Sequence, residues 1–463
     1  MKNNILLLTD SYKITHWRQY PPKTEIVYSY FESRGGKFDH TMFFGLQYFI
    51  KEYLEGVVIT YEKIRDARKL LSAHLGDPSL FNEQGWRHII TEHGGKLPIK
   101  IKAVPEGTIV PNGNVLMTIE NTDPECFWLT NYLETLLVQT WYPSTVATQS
   151  REILNMIHGF AELTGDPSII NFKLHDFGFR GVSSVESAGI GGLAHLINFI
   201  GTDTINALVF AKEYYNEECA GYSIPASEHS TITAWGKDNE ALAMENMLDQ
   251  YKDNPVIACV SDSYDIFNAC ANIWGDKLKD KIMGREGTLV VRPDSGDPKT
   301  VVVEVLNILY DKFGGTLNKK EYKVLDPHIR VIQGDGVNID SIREILEHME
   351  DNGFSTDNIA FGMGGALLQK LDRDTQSFAF KCCSVNIDGK EIDVFKRPVT
   401  DTSKASKAGR LKLISINGAD GNTLRTIKAS ITQEADVLQE VFLNGEITKE
   451  YTLSEVRKNS NRQ

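Results

Sequence analysis

Seven apolar runs in the chain each end in a short polar or glycine-rich turn. They are NFKLHDFG (Asn171 to Gly178), INFIGTD (Ile197 to Asp203), YSIPASEHS (Tyr222 to Ser230), VIACVSDS (Val256 to Ser263), TLVVRPDSG (Thr288 to Gly296), IRVIQGDG (Ile329 to Gly336) and NIAFGMGG (Asn358 to Gly365). With Asp176, Asp203, His229, Asp262, Asp294, Asp335 and Gly364 as markers, the steps are 27, 26, 33, 32, 41 and 29 residues. Each step is close to one strand plus one helix, a rhythm that predicts a barrel of parallel strands.

Parallel strands covered by helices are buried on both faces and read as continuous Val/Ile/Leu runs, as these do. If they close into a barrel, the loops at their carboxyl ends face one mouth, where such folds carry their chemistry. An open doubly wound sheet is the alternative, with each Asp or Ser merely capping the next helix. Capping is the better reading for any single Asp, and a shared mouth is the better one for all seven turns together.

The fold class expected is therefore α/β, a parallel barrel over residues 166–385. At 463 residues there is material for a further domain. Residues 1–165 mix helical and extended patterns: a helix over Tyr61 to Leu75, alternating β structure over Lys96 to Asp123, and an apolar helix over Glu125 to Pro143 stopped by its proline. Residues 386–463 read as short strands, with a hairpin turn at Asn444-Gly445 and a polar tail that frays. The two terminal regions are expected to pack together as one discontinuous β-rich domain.

A net charge of −13 argues against non-specific nucleic-acid binding, which needs surplus Lys and Arg to displace counterions. Near the N-terminus the apolar run Ile5 to Leu8 is too short for a signal peptide core or a membrane span, so a cytoplasmic protein without membrane partners is expected. The six cysteines lack metal-binding CxxC spacing and read as reduced core residues.

The turns carry distinct chemistries. His229, in SEHSTITAW, sits beside an acid and two hydroxyls; its imidazole could exchange protons or attack phosphorus, although a lone His is commonly structural. Arg292, Pro293, Asp294 and Ser295 combine a fork-shaped cation with a carboxylate that could hold Mg²⁺, ribose hydroxyls or a developing cation; an internal ion pair is equally open. The glycine turns at Gly334-Asp335 and Gly364-Gly365 could cradle phosphate through backbone N–H groups, while neither a Walker lysine nor a dinucleotide fingerprint is present. The later cations Arg373, Lys381, Lys396, Lys404, Lys407 and Arg410 could bind a polyphosphate or form a solvated face.

Taken in order, LLTDSYKITHWRQYPP, NTDPECFWLTN, KLHDFGFRGVSS, EHSTITAWGKD, VSDSYDI, VVRPDSGDP, VIQGDGV and FGMGGALLQKLDRD resemble the nicotinamide phosphoribosyltransferase family nearly from end to end. The resemblance implies the quinolinate-type barrel with a second β-rich domain, working as a homodimer with shared active sites. It implies attack of the nicotinamide nitrogen on C1 of phosphoribosyl pyrophosphate, giving nicotinamide mononucleotide and pyrophosphate for NAD salvage. A nicotinate phosphoribosyltransferase is the nearest alternative.

By position, the resemblance implies that Phe177 and a second subunit's Tyr12 sandwich the base, that Arg180 contacts the ring amide or a phosphate, and that Asp203 accepts from the carboxamide. Asp10, Ser223 and Ser261 would line the site. Arg292, Pro293, Asp294, Gly334, Asp335, Gly364 and Gly365 would hold ribose and 5′-phosphate, and Asp265 and Asp294 would order Mg²⁺. His229 is similar to the family histidine phosphorylated by ATP, and Arg34, Arg373, Lys381, Lys396 and Lys404 would bind ATP or pyrophosphate. Against the vertebrate pattern, the stretch between Arg34 and Phe44 is short, and Phe179, Ile224, Ser227, Met363 and Ala366 replace other residues.

Overall fold

The computed structural model describes residues 3–401, 404–418 and 421–461. It divides into two units, one of residues 1–148, 213–217 and 372–463, the other of residues 149–212 and 218–371.

In the second unit six strands are hydrogen-bonded in parallel: Gly201–Thr202, Leu174–Asp176, Ile359–Met363, Ile329–Gln333, Thr288–Arg292 and Val256–Val260, in that spatial order. The remaining run forms no strand of its own. Instead, residues 222–227 join the two edges through two parallel bridges, Gly201 to Tyr222 and Ala226 to Ala258. Tyr222 N–H donates to Ile200 O (2.7 Å), Thr202 N–H to Tyr222 O (3.0 Å) and Ala258 N–H to Pro225 O (2.9 Å), so the ring closes. Pro225 lacks the N–H a full ladder needs, which explains why this run supplies bridges and not a strand.

Helices follow the strands as the spacing predicts, among them Val185–His195, Glu240–Gln250, Pro298–Phe313 and Ile339–Asp351. The last is set by a capping box in which Asn338 accepts from the backbone of Ser341 while the Ser341 hydroxyl accepts from Asn338 N–H. Inside the ring, Ala258, Val290 and Ile332 form a small buried cluster with Phe177, Ile224, Val256 and Ala360 packed on it. Where barrels are usually filled by branched side chains, alanines at 258 and 360 leave room, and a cavity of about 610 Å³ runs within it.

The first unit is built on a seven-stranded antiparallel sheet in the order Lys390–Asp393, Phe378–Ile387, Thr24–Ser33, Val115–Asn121, Ile99–Ala103, Gln439–Leu443 and Glu446–Ile447. Strand Phe378–Ile387 pairs with Thr24–Ser33, and so belongs to this unit and not to the barrel, which ends at Leu371 and not at 385. The hairpin turn at Asn444 and Gly445 has φ of 51° and 86°, the left-handed pair that an Asn-Gly turn supplies.

Helix Tyr61–Leu75 lies where its periodicity placed it. Two expectations are corrected. Residues 124–140 break into short helical turns, and Pro143 does not stop a helix but lies in the first turn of helix Trp141–Thr164, where its missing N–H is not needed. The polar tail forms helix Leu453–Ser460, started by a Thr452–Glu455 capping box; Arg462 and Gln463 lie outside the described residues.

Below the barrel strands, buried Lys173 donates to Thr356 O (2.7 Å) and Ile359 O (2.8 Å), and burial pushes its ammonium down to about 8 from 10.5. Between those values the unfolded chain keeps a proton that the folded one has released, so this group makes stability rise with pH from 8 to 10.5. In denaturant titrations the wild-type stability, relative to Lys173→Met, is therefore expected to rise across that window; a pH-independent difference would contradict the assignment.

Candidate active site

Strand Leu174–Asp176 delivers Phe177 to the carboxyl-end mouth, where its backbone N–H donates to Met363 O (3.0 Å). A Cβ on Gly362, in the neighbouring strand, would overlap the Phe177 ring, so glycine there is what allows the ring its place. The Arg292 guanidinium lies over the same ring at 5.4 Å from its centroid. Below, Asp176 is buried and accepts from Gly178 N–H (2.7 Å); burial pushes its carboxyl up to about 6.

Asp203, at the end of strand Gly201–Thr202, is fixed by its N–H donating to Asp176 O (2.9 Å), and its carboxylate accepts a short hydrogen bond from the Ser223 hydroxyl. Phe177, Asp203, Ser223, Ile224 and Arg292 line the upper part of the 610 Å³ cavity. An aromatic face, a cation and a hydroxyl-oriented carboxylate thus surround one apolar hollow, a set suited to a small planar heterocycle bearing a hydrogen-bond donor.

His229 opens the short helix His229–Thr233, with Glu228 capping it. Its Nε2 is 3.4 Å from Asp294 Oδ2 and 3.8 Å from Asp262 Oδ1, and its Nδ1 is 3.4 Å from the Ser263 hydroxyl. Asp294 Oδ1 accepts from Arg292 Nε (3.1 Å) and Nη2 (2.8 Å), and Ser295 donates to Asp262 Oδ2 (2.6 Å). Gly334 faces the same guanidinium: a Cβ there would come within 2.9 Å of Arg292 Nε. Gly364 and Gly365 begin the helical turn Gly365–Leu368, and Asp335 is exposed in its turn. Pro293 is buried behind the Arg292–Asp294 pair, and Arg180 is exposed on the turn Phe179–Gly181.

Two residues of the expected set also carry local structure. Asp265 is the N-cap of the helical turn Ile266–Asn268, its Oδ1 accepting from Phe267 and Asn268 N–H at 3.0 Å each. Ser261 is buried, donating to Cys259 O (2.9 Å) and accepting from Trp274 Nε1 (3.0 Å). The carboxylate that the same turn presents to His229 is Asp262, which was a turn marker without a role. Its Oδ1 is buried without a hydrogen-bond partner, an arrangement that fits a bound cation.

In the other unit, Asp10, Tyr12, Arg34, Arg373, Lys381, Lys396 and Lys404 line a second cavity, of about 710 Å³, together with Glu134 and Thr135. Burial lowers the Lys381 ammonium, Glu134 raises it, and Arg34, Lys396 and Arg373 lower it further. Lys407 and Arg410 stand apart from this lining: Lys407 pairs with Glu32, and Arg410 with Glu120 (2.6 Å) and Glu391 (3.2 Å). Tyr12 is 60% exposed, with Lys13 Nζ 5.5 Å from its ring centroid and the His16 ring edge-on at 5.0 Å.

Residues 172–446 match the nicotinate phosphoribosyltransferase family, and residues 4–101 match the N-terminal domain described for nicotinamide phosphoribosyltransferase. The nicotinamide phosphoribosyltransferase of Xanthomonas campestris pv. campestris is 52% identical over 98% of this chain and 97% of its own length; that of Acinetobacter baylyi is 33% identical over 98% and 96%. Among solved structures, the fold is similar to nicotinate-nucleotide pyrophosphorylase from Pyrococcus furiosus (TM-score 0.61, 17% identity, 99% of this chain and 95% of that one) and to human nicotinic acid phosphoribosyltransferase (TM-score 0.53, 15% identity, 98% and 93%). Barrel, strand-end groups and these matches define a pentosyl-transferring enzyme, a phosphoribosyltransferase. Within that class the chain belongs to the nicotinamide phosphoribosyltransferase family. No helix among the described residues is long and apolar enough to cross a membrane.

Gly362→Ala is expected to displace the Phe177 ring and to lower kcat/KM for the heterocyclic substrate by roughly tenfold or more, about 1.4 kcal/mol, with circular dichroism unchanged. Unaltered kinetics would show that the ring is not part of the binding site.

Proposed function

We propose that the enzyme transfers the phosphoribosyl group of phosphoribosyl pyrophosphate to nicotinamide, in NAD salvage in the cytoplasm. The observation that carries this is Asp203: a carboxylate held by Ser223 beside the Phe177 ring accepts from a carboxamide NH₂ and repels a carboxylate, so nicotinamide is preferred over nicotinate. All six cysteines are unpaired, in keeping with a reducing compartment.

In this reading the base stacks on Phe177 and its ring nitrogen attacks C1 of the ribose. The C1–N bond forms as the bond from C1 to the pyrophosphate oxygen breaks, and the electron pair leaves with pyrophosphate. Positive charge grows at C1 in the transition state, and carboxylates at the mouth stabilise it electrostatically. Arg292, steered by Asp294 and given space by Gly334, and the N–H groups at Gly364 and Gly365 are suited to the 5′-phosphate. Asp262 and Asp294 would hold Mg²⁺, whose contribution is to neutralise the pyrophosphate oxygens.

ATP coupling through His229 is the finer part of the proposal. Carboxylates 3.4 and 3.8 Å from Nε2 favour a proton on that nitrogen, which leaves Nδ1 with its lone pair for the γ-phosphorus of ATP. ADP would leave as the phosphohistidine forms. Phosphates of ATP or pyrophosphate suit the cations Arg34, Arg373, Lys381, Lys396 and Lys404. A homodimer is expected, in which a second copy supplies Tyr12 and Asp10 to the base; the exposure of Tyr12 supports this.

Turnover of each base with phosphoribosyl pyrophosphate, with and without ATP, tests the reading: nicotinamide should be used in preference, and equal or better use of nicotinate would overturn it. Asp203→Asn is expected to reduce the nicotinamide-to-nicotinate kcat/KM ratio by about tenfold or more; an unchanged ratio would remove Asp203 from base selection. His229→Ala should abolish acid-labile phosphoprotein and ATP stimulation while retaining ATP-independent synthesis. Undiminished phosphoprotein in that variant would refute the role of His229.

A further inference from the structure

Away from both cavities, helix Glu83–His93 presents two histidines to the turn that carries Asp123 and Cys126. His88 Nε2 lies 2.7 Å and His93 Nε2 2.6 Å from the same oxygen, Asp123 Oδ2. The other oxygen, Oδ1, accepts from Glu125 N–H (2.9 Å), and the Asp123 carbonyl accepts from Cys126 N–H (2.9 Å) and Asn121 Nδ2 (2.8 Å). The carboxylate is therefore anchored while its second oxygen faces the rings. Cys126 is fully buried, and its sulfur, His88 and an Asp123 oxygen lie within 4.8 Å of one another, the one such group of three among the described residues.

We propose that His88, Asp123 and Cys126 bind a zinc-type divalent cation, with His93 as the residue that positions the Asp123 carboxylate. Imidazole, carboxylate and thiolate together select a borderline-soft ion over Mg²⁺, which takes oxygen ligands and would remain with Asp262 and Asp294. Bonds of about 2.0 Å to nitrogen and oxygen and about 2.3 Å to sulfur require donor atoms somewhat farther apart than a hydrogen bond. His88 would have to move by only a fraction of its 2.7 Å contact to admit the ion. Binding would release the Cys126 thiol proton to solvent. The partial exposure of His88 (30%) and Asp123 (17%) gives the ion a way in and leaves a fourth position to water.

His93 would keep its N–H on the ligating oxygen, as outer carboxylate partners do at metal sites. The ion would tie the helix to the turn at residues 123–126, which otherwise share the packing of Trp86 against Trp128 (ring centroids 4.7 Å apart). Its role is to brace this unit, so its loss should alter thermal stability more than turnover.

The test uses full-length protein freed of metal by a chelator and dialysed into Mg²⁺, then titrated with Zn²⁺ against a chromophoric competitor and separately with Co²⁺. One equivalent of Zn²⁺ should bind at micromolar or tighter affinity and raise Tm, and Co²⁺ should give a thiolate-to-cobalt charge-transfer band. Cys126→Ser should lose that band and weaken zinc binding at least tenfold. His93→Gln should weaken binding by about 10- to 100-fold while retaining the band. His88→Gln serves as the second ligand variant should Cys126→Ser fold poorly. Absence of stoichiometric zinc binding, or equal affinity in Cys126→Ser and His88→Gln, would overturn the site.

Discussion

Closure of the barrel rests on a short non-strand segment, residues 222–227, hydrogen-bonded to a strand on either side. Parallel strands leave unpaired N–H and C=O groups at each edge of an open sheet, and these bridges satisfy them. The same segment places side chains of the candidate site at both ends. Ser223 follows the first bridge and reaches Asp203, while the chain leaving the second bridge turns directly into Glu228 and His229. Ser227 secures that turn, its hydroxyl accepting from Val260 N–H at 2.9 Å. Closing the ring and placing the Asp203 carboxylate and His229 are thus one constraint.

Charge at the mouth is arranged both between turns and within one. Ser295 of one turn holds Asp262 of another, and Asp294 is held by Arg292, leaving one oxygen of each carboxylate facing His229. A buried carboxylate oxygen with no donor is costly. Asp262 Oδ1 is such a group, and at the proposed Mg²⁺ site a bound cation would offset that cost.

The barrel was legible because parallel strands announce themselves as apolar runs at a steady spacing, and of the turn residues named from it His229, Asp262 and Asp294 lie together, while Asp203 lines one cavity with Arg292. What was hidden depends on direction within a turn. Asp262 and Asp265 lie three residues apart in VSDSYD, and nothing in composition says which caps the next helix and which faces inward. Pro143 could as well begin a helix as end one, since both termini tolerate it. The cluster at His88, His93, Asp123 and Cys126 lacks a spacing signature because its members come from a helix and a turn 35 residues apart, joined only in three dimensions.

The cationic cavity follows a different logic from the barrel mouth. With a net charge of −13, the chain as a whole repels anions, yet five cations line one hollow of the β-rich unit. Crowding costs these cations: Lys381 is half-buried, and burial and the charges of Arg34, Lys396 and Arg373 lower its ammonium while Glu134 raises it. Three of the five are partly neutralised, Arg34 by Glu32 (2.9 Å), Arg373 by Asp374 (3.0 Å) and Lys404 by Asp401 (3.3 Å), which reduces the repulsion without filling the hollow. A multiply charged anion restores what burial and repulsion remove, and a local field of this kind draws such anions in against the overall charge. A lysine paired permanently with an acid would gain little from that anion. Lys381 instead donates to the Phe380 carbonyl (2.7 Å) while burial and neighbouring cations lower its ammonium, which supports the polyphosphate site proposed for this hollow.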